Sequence, residues 1–354
     1  MKILFCGGGT LGSVTPLVAV MRRMREMRKG IECAWIGTER GPEREVIARE
    51  GVPFHVLPDA KFPRYPSATW LTFPFDYLRA QRTARNIVSY ESPDLVVSAG
   101  GYVGVPIIKA AAPRGVPCAI HQLDAIPGLS NRAVASDCKS VTTSFAYPTP
   151  PFGRAVASVR TATPCRFAGV QLPTRNEAAR RLDIDPAKKI IFVFGGGTGA
   201  LAINKAIEIV LRELTNEHVL IHSTGKGKSV GTKQRGYHPF DILDEQQMLD
   251  AYAVSDLNVS RAGMGNLSEL AALSVPALIV PMPDTHQEAN AKMLEEGIEI
   301  VSQRAIDFPE RLKLIMKSLM RDEGRRRAMG ERLHGLLPTD DGSELAERWL
   351  GLIK

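Results

Sequence analysis

Cysteine is scarce in this sequence, and no two cysteines form a recognisable pair. The five cysteines among 354 residues are odd in number and widely spaced, without a Cys-x-x-Cys motif. The spacing therefore predicts neither a disulfide framework nor a structural zinc site. Because free thiols are typical of a reducing compartment, we expect a cytoplasmic protein.

Long apolar runs are also lacking. Nowhere do the roughly 18 consecutive apolar residues of a membrane-spanning helix occur. The first apolar run, Ile3 to Cys6, is too short for the core of a signal peptide and ends in glycines. We therefore expect neither a cleaved leader nor a membrane span.

Metal-ligand patterns are nearly absent too. The apparent one, Asp183-Ile184-Asp185, lies in the connection 181–189, which leads into a predicted strand rather than out of its carboxyl end. Ligands of open α/β sheets bind at the carboxyl ends of the strands. We therefore expect no metal and no cofactor.

Acidic residues are outnumbered by basic ones. The chain has 45 Lys and Arg against 38 Asp and Glu, a formal charge of +7 and a pI near 9.2. Such a balance favours contact with phosphates, anionic lipid or nucleic acid. No RNA- or DNA-binding motif accompanies the charge, so we expect phosphate or lipid partners and no nucleic acid.

What the chain does contain, twice, is an apolar run that ends in glycines. The stretches are Met1–Thr10 and Lys189–Ala200, and an amphipathic helical pattern follows each of them. Strand, glycine loop and helix in this order predict two Rossmann-like α/β units. The glycines let backbone N–H groups approach an anion, and the helix N-terminus adds partial positive charge. Tight packing alone also explains one such loop, and the doubling is what favours ligand binding.

Short apolar runs ending in turn residues predict the remaining strands. They lie at 32–36, 52–57, 94–98, 117–120 and 141–142 in the first half, and at 190–194, 219–223, 257–260, 277–280 and 298–301 in the second. Residues 309–354 are predicted to be helical only. A proline-dense stretch at 147–153 places the boundary before 164–168. We expect domains at 1–160 and 165–335, and a C-terminal helix in 336–354 that packs back on the first domain.

Aromatic and basic residues are interleaved in the segment 61–85. Its members are Lys61, Phe62, Arg64, Tyr65, Trp70, Leu71, Phe73, Phe75, Tyr77, Leu78, Arg79, Arg82 and Arg85. This composition is typical of a membrane-surface segment, where rings lie at the headgroups and cations meet anionic lipid. A helix that starts at Pro74 and buries its aromatic face in the core has the same pattern. The sequence leaves both interpretations open.

A strand end, a glycine-rich turn and a helix with an acid in its first turn are predicted at 260–269. A carboxylate at Glu269 can accept both hydroxyls of a ribose, as acids do in Rossmann dinucleotide sites. Asn266 with Glu269 also matches a helix capping box, which gives Glu269 a purely structural role. Both interpretations remain open.

Polar side chains open another helix at 284–291, after the strand end Pro281-Met282-Pro283. We interpret them as ligand contacts, and the alternative is a solvated helix start with Asp284 as its N-cap. In the first half, His121-Gln122-Leu123-Asp124 follows a predicted strand at the edge where ligands bind.

Spaced motifs run through the chain in a fixed order. They are Gly8-Gly9-Thr10-x-Gly12, Gly100-Gly101-Tyr102-Val103, Gly128-Leu129-Ser130-Asn131, Gly195-Gly196-x-x-Gly199-Ala200, His222-x-Thr224-Gly225-Lys226-Gly227, Arg261-Ala262-Gly263 with Ser268-Glu269, and His286-Gln287-x-x-Asn290-Ala291. In type and order they resemble the MurG family of transferases, which add N-acetylglucosamine to the peptidoglycan precursor lipid I. The resemblance covers residues 1 to about 305.

The resemblance implies a GT-B fold, two Rossmann-like α/β domains facing each other across a cleft, with the lipid-linked acceptor on the first domain and UDP-N-acetylglucosamine on the second. It implies diphosphate contacts at Gly196, Gly197, Thr198, Gly199, Ala200, Gly263, Met264, Gly265 and Asn266. Glu269 is implied for the ribose, Gln287 and His286 for the sugar, and backbone near Ile242 or Leu243 for the uracil. Asn290 is implied as a further donor contact. Arg261 is either structural support or charge compensation for the diphosphate. Acceptor contacts are implied at Thr10, Gly12, Ser13, Gly101, Tyr102 and Asn131.

The chain departs from the family pattern at the expected catalytic base. The family's first glycine loop continues into a histidine that deprotonates the acceptor, and this position is Ser13. The family's His-Glu-Gln-Asn segment is changed to His121-Gln122-Leu123-Asp124. Because serine does not accept a proton at neutral pH without a base beside it, we expect Asp124 or His121 to act as the base.

The resemblance implies an inverting N-acetylglucosaminyltransferase acting at the inner face of the cell membrane as a peripheral protein. Two alternatives stay open: a related transferase with another glycolipid or cell-wall acceptor, and a nucleotide-sugar-binding protein without turnover. The sequence also leaves open whether the donor carries N-acetylglucosamine or glucose.

Overall fold

The chain folds into two compact units in the computed structural model, which describes residues 1–63, 69–196, 199–229 and 234–353. Unit 1 comprises Met1–Arg166 and Asp340–Lys354, and unit 2 comprises Phe167–Thr339. The chain therefore passes from unit 1 to unit 2 between residues 166 and 167, and returns between residues 339 and 340. The sequence placed the first boundary at 160–165 and the second at 335–336.

Unit 1 is built around a parallel sheet in the order β3-β2-β1-β4-β5-β6-β7. Its strands are β1 Lys2–Cys6, β2 Glu32–Gly37, β3 Phe54–Val56, β4 Leu95–Ser98, β5 Cys118–Gln122, β6 Ser140–Thr143, β7 Val159–Arg160 and the separate short strand β8 Thr163–Pro164. Its helices up to this point are α1 Thr15–Met27, α2 Glu43–Arg49, α3 Thr69–Glu91, α4 Gly104–Ala111 and α5 Leu129–Val134. The central strand β1 pairs with β2 and β4, with Leu4 opposite Ala34 and Val96. Because residues on both faces of β1 are buried, its sequence is an uninterrupted apolar run.

Unit 2 repeats this plan with the strand order β11-β10-β9-β12-β13-β14. Its strands are β9 Ile190–Phe194, β10 Val219–Ser223, β11 Tyr237–Phe240, β12 Leu257–Ser260, β13 Ala277–Ile279 and β14 Glu299–Ile300. Its helices are α6 Arg175–Leu182, α7 Leu201–Thr215, α8 Glu245–Val254, α9 Met264–Ala272, α10 His286–Met293, α11 Phe308–Arg321 and α12 Glu323–Leu336. The prediction of two Rossmann-like α/β domains is confirmed.

The chain returns to unit 1 after unit 2, through the short strand β15 Thr339–Asp340 and helix α13 Ser343–Leu350. Cys165 N–H donates to the Asp340 carbonyl at 2.8 Å. Gly342 has a φ of +94°, and a Cβ added there would lie 2.8 Å from the Val20 backbone of α1. Trp349 is fully buried. The last helix is therefore part of the unit 1 core.

Several sequence predictions about the elements were wrong, and the first sheet continues to β7 although it was expected to end at Val141 and Thr142. Residues 309–354 contain the strand β15, although helices alone were expected. The strand β11 was not predicted, because Pro239 and His238 interrupt its apolar pattern. Proline is tolerated there because β11 is an edge strand. Helix α3 includes Pro74 in its interior instead of starting there.

Among the described residues, no helix combines the length and hydropathy needed to cross a bilayer.

Candidate functional site

In unit 1, the loops after the neighbouring strands β1 and β4 touch each other. A Cβ added at Gly101 would lie 3.4 Å from the Gly8 carbonyl oxygen and 4.0 Å from Ser13 Oγ. Gly101 has a φ of +83°, which favours glycine. Ser13, Gly101 and Tyr102, which were predicted for the acceptor, are therefore brought together at the carboxyl edge of the sheet, with Thr10 exposed and Gly12 half-buried on the same loop.

A buried carboxylate that the sequence analysis missed fixes the first glycine loop. Glu43 Oε2 accepts the Gly9 N–H at 3.1 Å, and Oε1 accepts the Thr38 N–H at 2.7 Å and its hydroxyl at 2.6 Å. Glu43 is fully buried. Its position in the charged stretch 39–45 resembles a solvated helix start, so no local pattern distinguishes it.

Tyr102 packs against the same loop. Its ring lies 4.0 Å from the position of a Cβ added at Gly9. Burial raises the pKa of the Tyr102 phenol well above its usual value, and the nearby Asp59 carboxylate raises it further. Tyr102 therefore stays protonated at neutral pH, and its hydroxyl is hydrogen-bonded to Asp59.

His121 lies in the core of unit 1. Its side chain is fully buried, with Nδ1 2.9 Å from Thr142 Oγ1 and Nε2 3.0 Å from Ser144 Oγ. Burial lowers its pKa to about 3. Since both ring nitrogens are hydrogen-bonded inside the sheet layer, this placement argues against the expectation that His121 is the base and gives it a structural role.

Asp124 instead lies past the end of β5, half-buried, on a loop that is held from two sides. Gln122 Nε2 and the Tyr147 hydroxyl donate to the Asp124 carbonyl at 2.9 Å and 2.8 Å. Asn131 Nδ2 donates to Gln122 Oε1 at 2.7 Å. The Asn131 amide also lies 3.7 Å from the position of a Cβ added at Gly100. Asn131, predicted to contact the acceptor, is buried and positions this loop.

In unit 2, the loop after β10 and the start of helix α9 converge on the glycine-rich loop after β9. Gly196 has a φ of +83°, and a Cβ added there would lie 3.3 Å from Asn266 Nδ2, in the first turn of helix α9. A Cβ added at Gly199 would lie 2.3 Å from the Thr224 carbonyl oxygen, on the loop after β10. Ala200 is buried where α7 begins, and the predicted contacts Gly197 and Thr198 lie outside the described residues.

Helix α9 begins in this cluster, and its start differs from the predicted capping box. Its N-cap is Gly263, whereas Asn266 lies inside the helix and donates to Ser260 Oγ at 2.8 Å. Glu269 is in the second turn, is 5% exposed and accepts the Tyr252 hydroxyl at 2.9 Å. The capping-box interpretation of Glu269 was therefore wrong.

At this helix start the backbone is what a ligand can contact. The Met264 side chain is buried, while Gly263 and Gly265 are half-buried. N–H groups of a first helical turn have no partner within the helix, and the helix dipole adds partial positive charge. The α9 N-terminus is therefore suited to an anion.

Arg261 and Asn290 brace the turns around this helix start. Arg261 Nη1 donates to the carbonyl oxygens of Val280 and Pro281 at 2.9 Å and 3.2 Å. Burial lowers the pKa of its guanidinium. Asn290 is fully buried and donates from Nδ2 to the Ala262 carbonyl at 3.1 Å. Of the two roles left open for Arg261, these bonds support structural bracing.

Helix α10 opens at the carboxyl end of β13 with Thr285 as its N-cap, so the alternative of an Asp284 cap was wrong. The Thr285 hydroxyl accepts the Gln287 N–H at 3.2 Å, and Gln287 Oε1 accepts the Met282 N–H at 3.0 Å. His286 is exposed beside them. After β11, Ile242 is exposed and Leu243 is buried.

Each unit thus carries one candidate site at the carboxyl edge of its sheet. Unit 2 combines two helix starts and a glycine loop with a buried carboxylate, a combination that fits a nucleotide diphosphate with a ribose. Among the described residues, no three His, Cys, Asp or Glu side chains are grouped so as to hold a metal ion.

Comparison with known families and structures agrees with this division. Residues 3–143 match the glycosyltransferase family 28 N-terminal domain, and residues 190–335 match the glycosyltransferase family 28 C-terminal domain. The crystal structure of Acinetobacter baumannii MurG has the same fold, with a TM-score of 0.72 at 24% identity over 99% of both chains. A UDP-GlcNAc 2-epimerase from Neisseria meningitidis bound to UDP-GlcNAc has a TM-score of 0.69 at 12% identity.

Several curated relatives carry the name UDP-N-acetylglucosamine--N-acetylmuramyl-(pentapeptide) pyrophosphoryl-undecaprenol N-acetylglucosamine transferase. A Nocardioides protein of this name is 32% identical over 98% of this chain and 96% of its own length. One from Lachnospira eligens is 36% identical over 79% of this chain and 78% of its own. The matching domains and the identity over nearly the whole length show that the chain belongs to glycosyltransferase family 28 and, within it, to the MurG family.

Proposed function

We propose that this protein is an inverting glycosyltransferase that moves N-acetylglucosamine from UDP-N-acetylglucosamine to a lipid-diphosphate-linked sugar, the lipid I to lipid II step of peptidoglycan synthesis or a close variant. The observation that carries the proposal is the convergence of the β9 glycine loop with the α9 N-terminus in unit 2. Family membership supports the same reaction.

In the proposed donor complex, unit 2 holds the diphosphate through the amides of the glycine loop and of the α9 start. Negative charge develops on the UDP leaving group as the glycosidic bond breaks, and fixed amides and helix dipoles stabilise that charge. Glu269 accepts the ribose hydroxyls, Gln287 and His286 contact the sugar, and backbone near Ile242 meets the uracil.

In the proposed acceptor complex, unit 1 holds the lipid diphosphate at the glycine loop that Glu43 fixes. Ser13, Gly101 and Tyr102 line this loop. Asp124 takes the proton from the acceptor hydroxyl. A single displacement needs one base aligned opposite the leaving group, and a carboxylate is able to fill that role.

The test is UDP release by the purified protein, measured with and without a short-chain lipid I analogue. We expect UDP release only when the acceptor is present. Binding of UDP-N-acetylglucosamine without release would contradict turnover on this acceptor, and screening other polyprenyl-diphosphate sugars would then separate a different acceptor from a binding protein. No binding of the nucleotide sugar at all would overturn the proposal.

Membrane association is part of the proposal, because the first turns of α3 expose an apolar surface. Leu71 is 79% exposed, Phe75 is 74% exposed and Leu78 is 65% exposed. Phe62 packs edge-on against Trp70, with ring centroids 5.2 Å apart. Exposed arginines at 79, 82 and 85 follow on the same helix. Of the two interpretations of the segment, this exposure supports the interfacial one, with Arg64 and Tyr65 outside the described residues.

We expect the double substitution Leu71→Ala and Phe75→Ala to weaken sedimentation with anionic vesicles by at least about tenfold, since each buried apolar side chain contributes on the order of 1.5 kcal/mol. Tyr90→Ala is the control, because Tyr90 is 80% exposed at the other end of the same helix. Equal binding of both variants and wild type would contradict the interfacial role.

The location that we propose from this exposed surface is the cytoplasmic face of the membrane, as a peripheral protein.

A further inference from the structure

A buried chain of hydrogen bonds connects the core of unit 2 to the loop that follows β10. His222 Nε2 lies 3.1 Å from Asn204 Oδ1, and His222 Nδ1 lies 3.0 Å from the Tyr237 hydroxyl. Asn204 Nδ2 donates to the carbonyl oxygens of Thr224 and Lys228 at 2.9 Å and 3.1 Å. His222 is fully buried and Asn204 is 1% exposed.

The chemistry of the partners fixes the tautomer of His222. Because the Asn204 amide nitrogen donates to two carbonyls, its oxygen is the atom that faces the ring and accepts a proton from Nε2. Nδ1 then carries the lone pair and accepts the Tyr237 O–H. Burial lowers the pKa of His222 to about 4, so the ring is neutral at physiological pH.

The loop held in this way supports the glycine loop after β9. Thr224–Lys228 is closed by a bond from the Lys228 N–H to the Gly225 carbonyl at 2.9 Å. A Cβ added at Gly199 would lie 2.3 Å from the Thr224 oxygen and 2.9 Å from Gly225 Cα. The two backbones are in direct contact, and displacement of one displaces the other.

We propose that His222 is a positioning residue for the donor diphosphate: it orients Asn204, which holds the Thr224–Lys228 loop against the glycine loop. The inference rests on the proposed function, because the ligand it concerns is the nucleotide diphosphate. Neither His222 nor Asn204 touches the ligand, and both act through the backbone of the two loops.

Stability of the fold alone does not explain a buried histidine at position 222. A buried imidazole costs more to desolvate than an aliphatic side chain of similar size, so stability alone does not require it on a strand whose neighbours are Leu220 and Ile221. A fully satisfied polar network specifies one geometry of the groups that it bonds. In this network the groups held in one geometry are the carbonyls of Thr224 and Lys228.

The experiment is calorimetric titration of the full-length protein with UDP, alongside thermal denaturation. We expect His222→Leu and Asn204→Ser each to raise the Kd for UDP about tenfold, the effect of losing a hydrogen bond of ordinary strength. The double variant is expected to be no weaker than the singles, because both changes break the same link. His222→Gln, whose amide retains a donor for Asn204, is expected to stay within about threefold of wild type.

Tyr237→Phe and Asn258→Ala are the matched controls. Tyr237→Phe removes the hydrogen bond to His222 Nδ1, on the side of the ring that faces away from the Thr224–Lys228 loop. Asn258 is fully buried near the N-terminal end of β12, away from the carboxyl edge of the sheet, and bonds to Ser255 Oγ and to the Pro276 carbonyl. Both are expected to lower the Tm with little change in Kd.

An unchanged Kd in folded Asn204→Ser or His222→Leu, or an equal rise in the controls, would overturn the inference. If His222→Leu does not fold, Asn204→Ser and His222→Gln still decide between the two patterns. Wild-type protein that binds no UDP would overturn the proposed function itself, and this inference with it.

Discussion

Asp124→Asn is expected to lower kcat for transfer by about 10²- to 10⁴-fold, the usual contribution of a positioned general base, and to leave the Kd for UDP-N-acetylglucosamine unchanged. The amide has the shape of the carboxylate and no basic oxygen. The Asp124 carbonyl accepts from Gln122 and Tyr147, and the substitution leaves these two bonds of the loop backbone unchanged. Donor binding is unaffected because the proposed donor contacts lie in unit 2.

Two comparison variants make this result specific. Asp137→Asn is the same chemical change in unit 1 at a carboxylate that pairs with Lys109 at 2.8 Å, and it should keep kcat within about twofold of wild type because such pairs contribute little. His121→Gln should lower the free energy of unfolding and have only a small effect on kcat, since the ring is buried. If Asp124→Asn keeps full kcat, Asp124 is not the base, and the group that activates the acceptor must be sought around Ser13.

The free energy of unfolding is expected to fall as the pH is lowered from about 6.5 to about 4, by about 1.4 kcal/mol per pH unit for each of two buried histidines. The native pKa values of His121 and His222 are lowered by burial to about 3 and about 4, while unfolded histidine titrates near 6.5. The unfolded chain therefore binds more protons in this window. The stabilisation is complete above about pH 6.5 and is lost as the pH falls towards the native pKa values.

His121 lies in unit 1 and His222 in unit 2, so the unfolding transition of each unit should have its own pH dependence. Urea denaturation at pH 7, 6 and 5 measures it above the range in which carboxylates protonate. Burial also lowers the pKa of His218 and His238, which adds to the slope of unit 2. His121→Gln should flatten the unit 1 transition alone. Stability that does not change between pH 7 and pH 5 would contradict neutral, buried rings.

The apolar strands were predictable because a parallel strand covered on both faces is a continuous apolar run, as in β1 and β9. The same rule explains the failure at β11. An edge strand is only partly covered, so Tyr237–Phe240 carries a histidine and a proline that obscure its pattern. Burial depends on the whole sheet, and a local window of sequence does not contain it.

The candidate sites were predictable where glycine marks a close approach, as at Gly101, Gly196 and Gly199. The buried side chains that hold the glycine loops in place were not predictable from the sequence. Glu43 and Asn204 are polar residues in helical stretches, and their partners lie on other strands or loops. Glu43 lies in a charged stretch and Asn204 on the apolar face of α7, and in neither case does the local sequence indicate which backbone groups the side chain will bond.

The return of α13 to unit 1 also determines the order in which the two units are able to form during synthesis. Residues 340–353 emerge from the ribosome only after the whole of unit 2, and until then the α1 surface against which Gly342 packs is uncovered. Unit 2 is continuous in sequence and is able to fold as it emerges. Although unit 1 is translated first, its core is completed last.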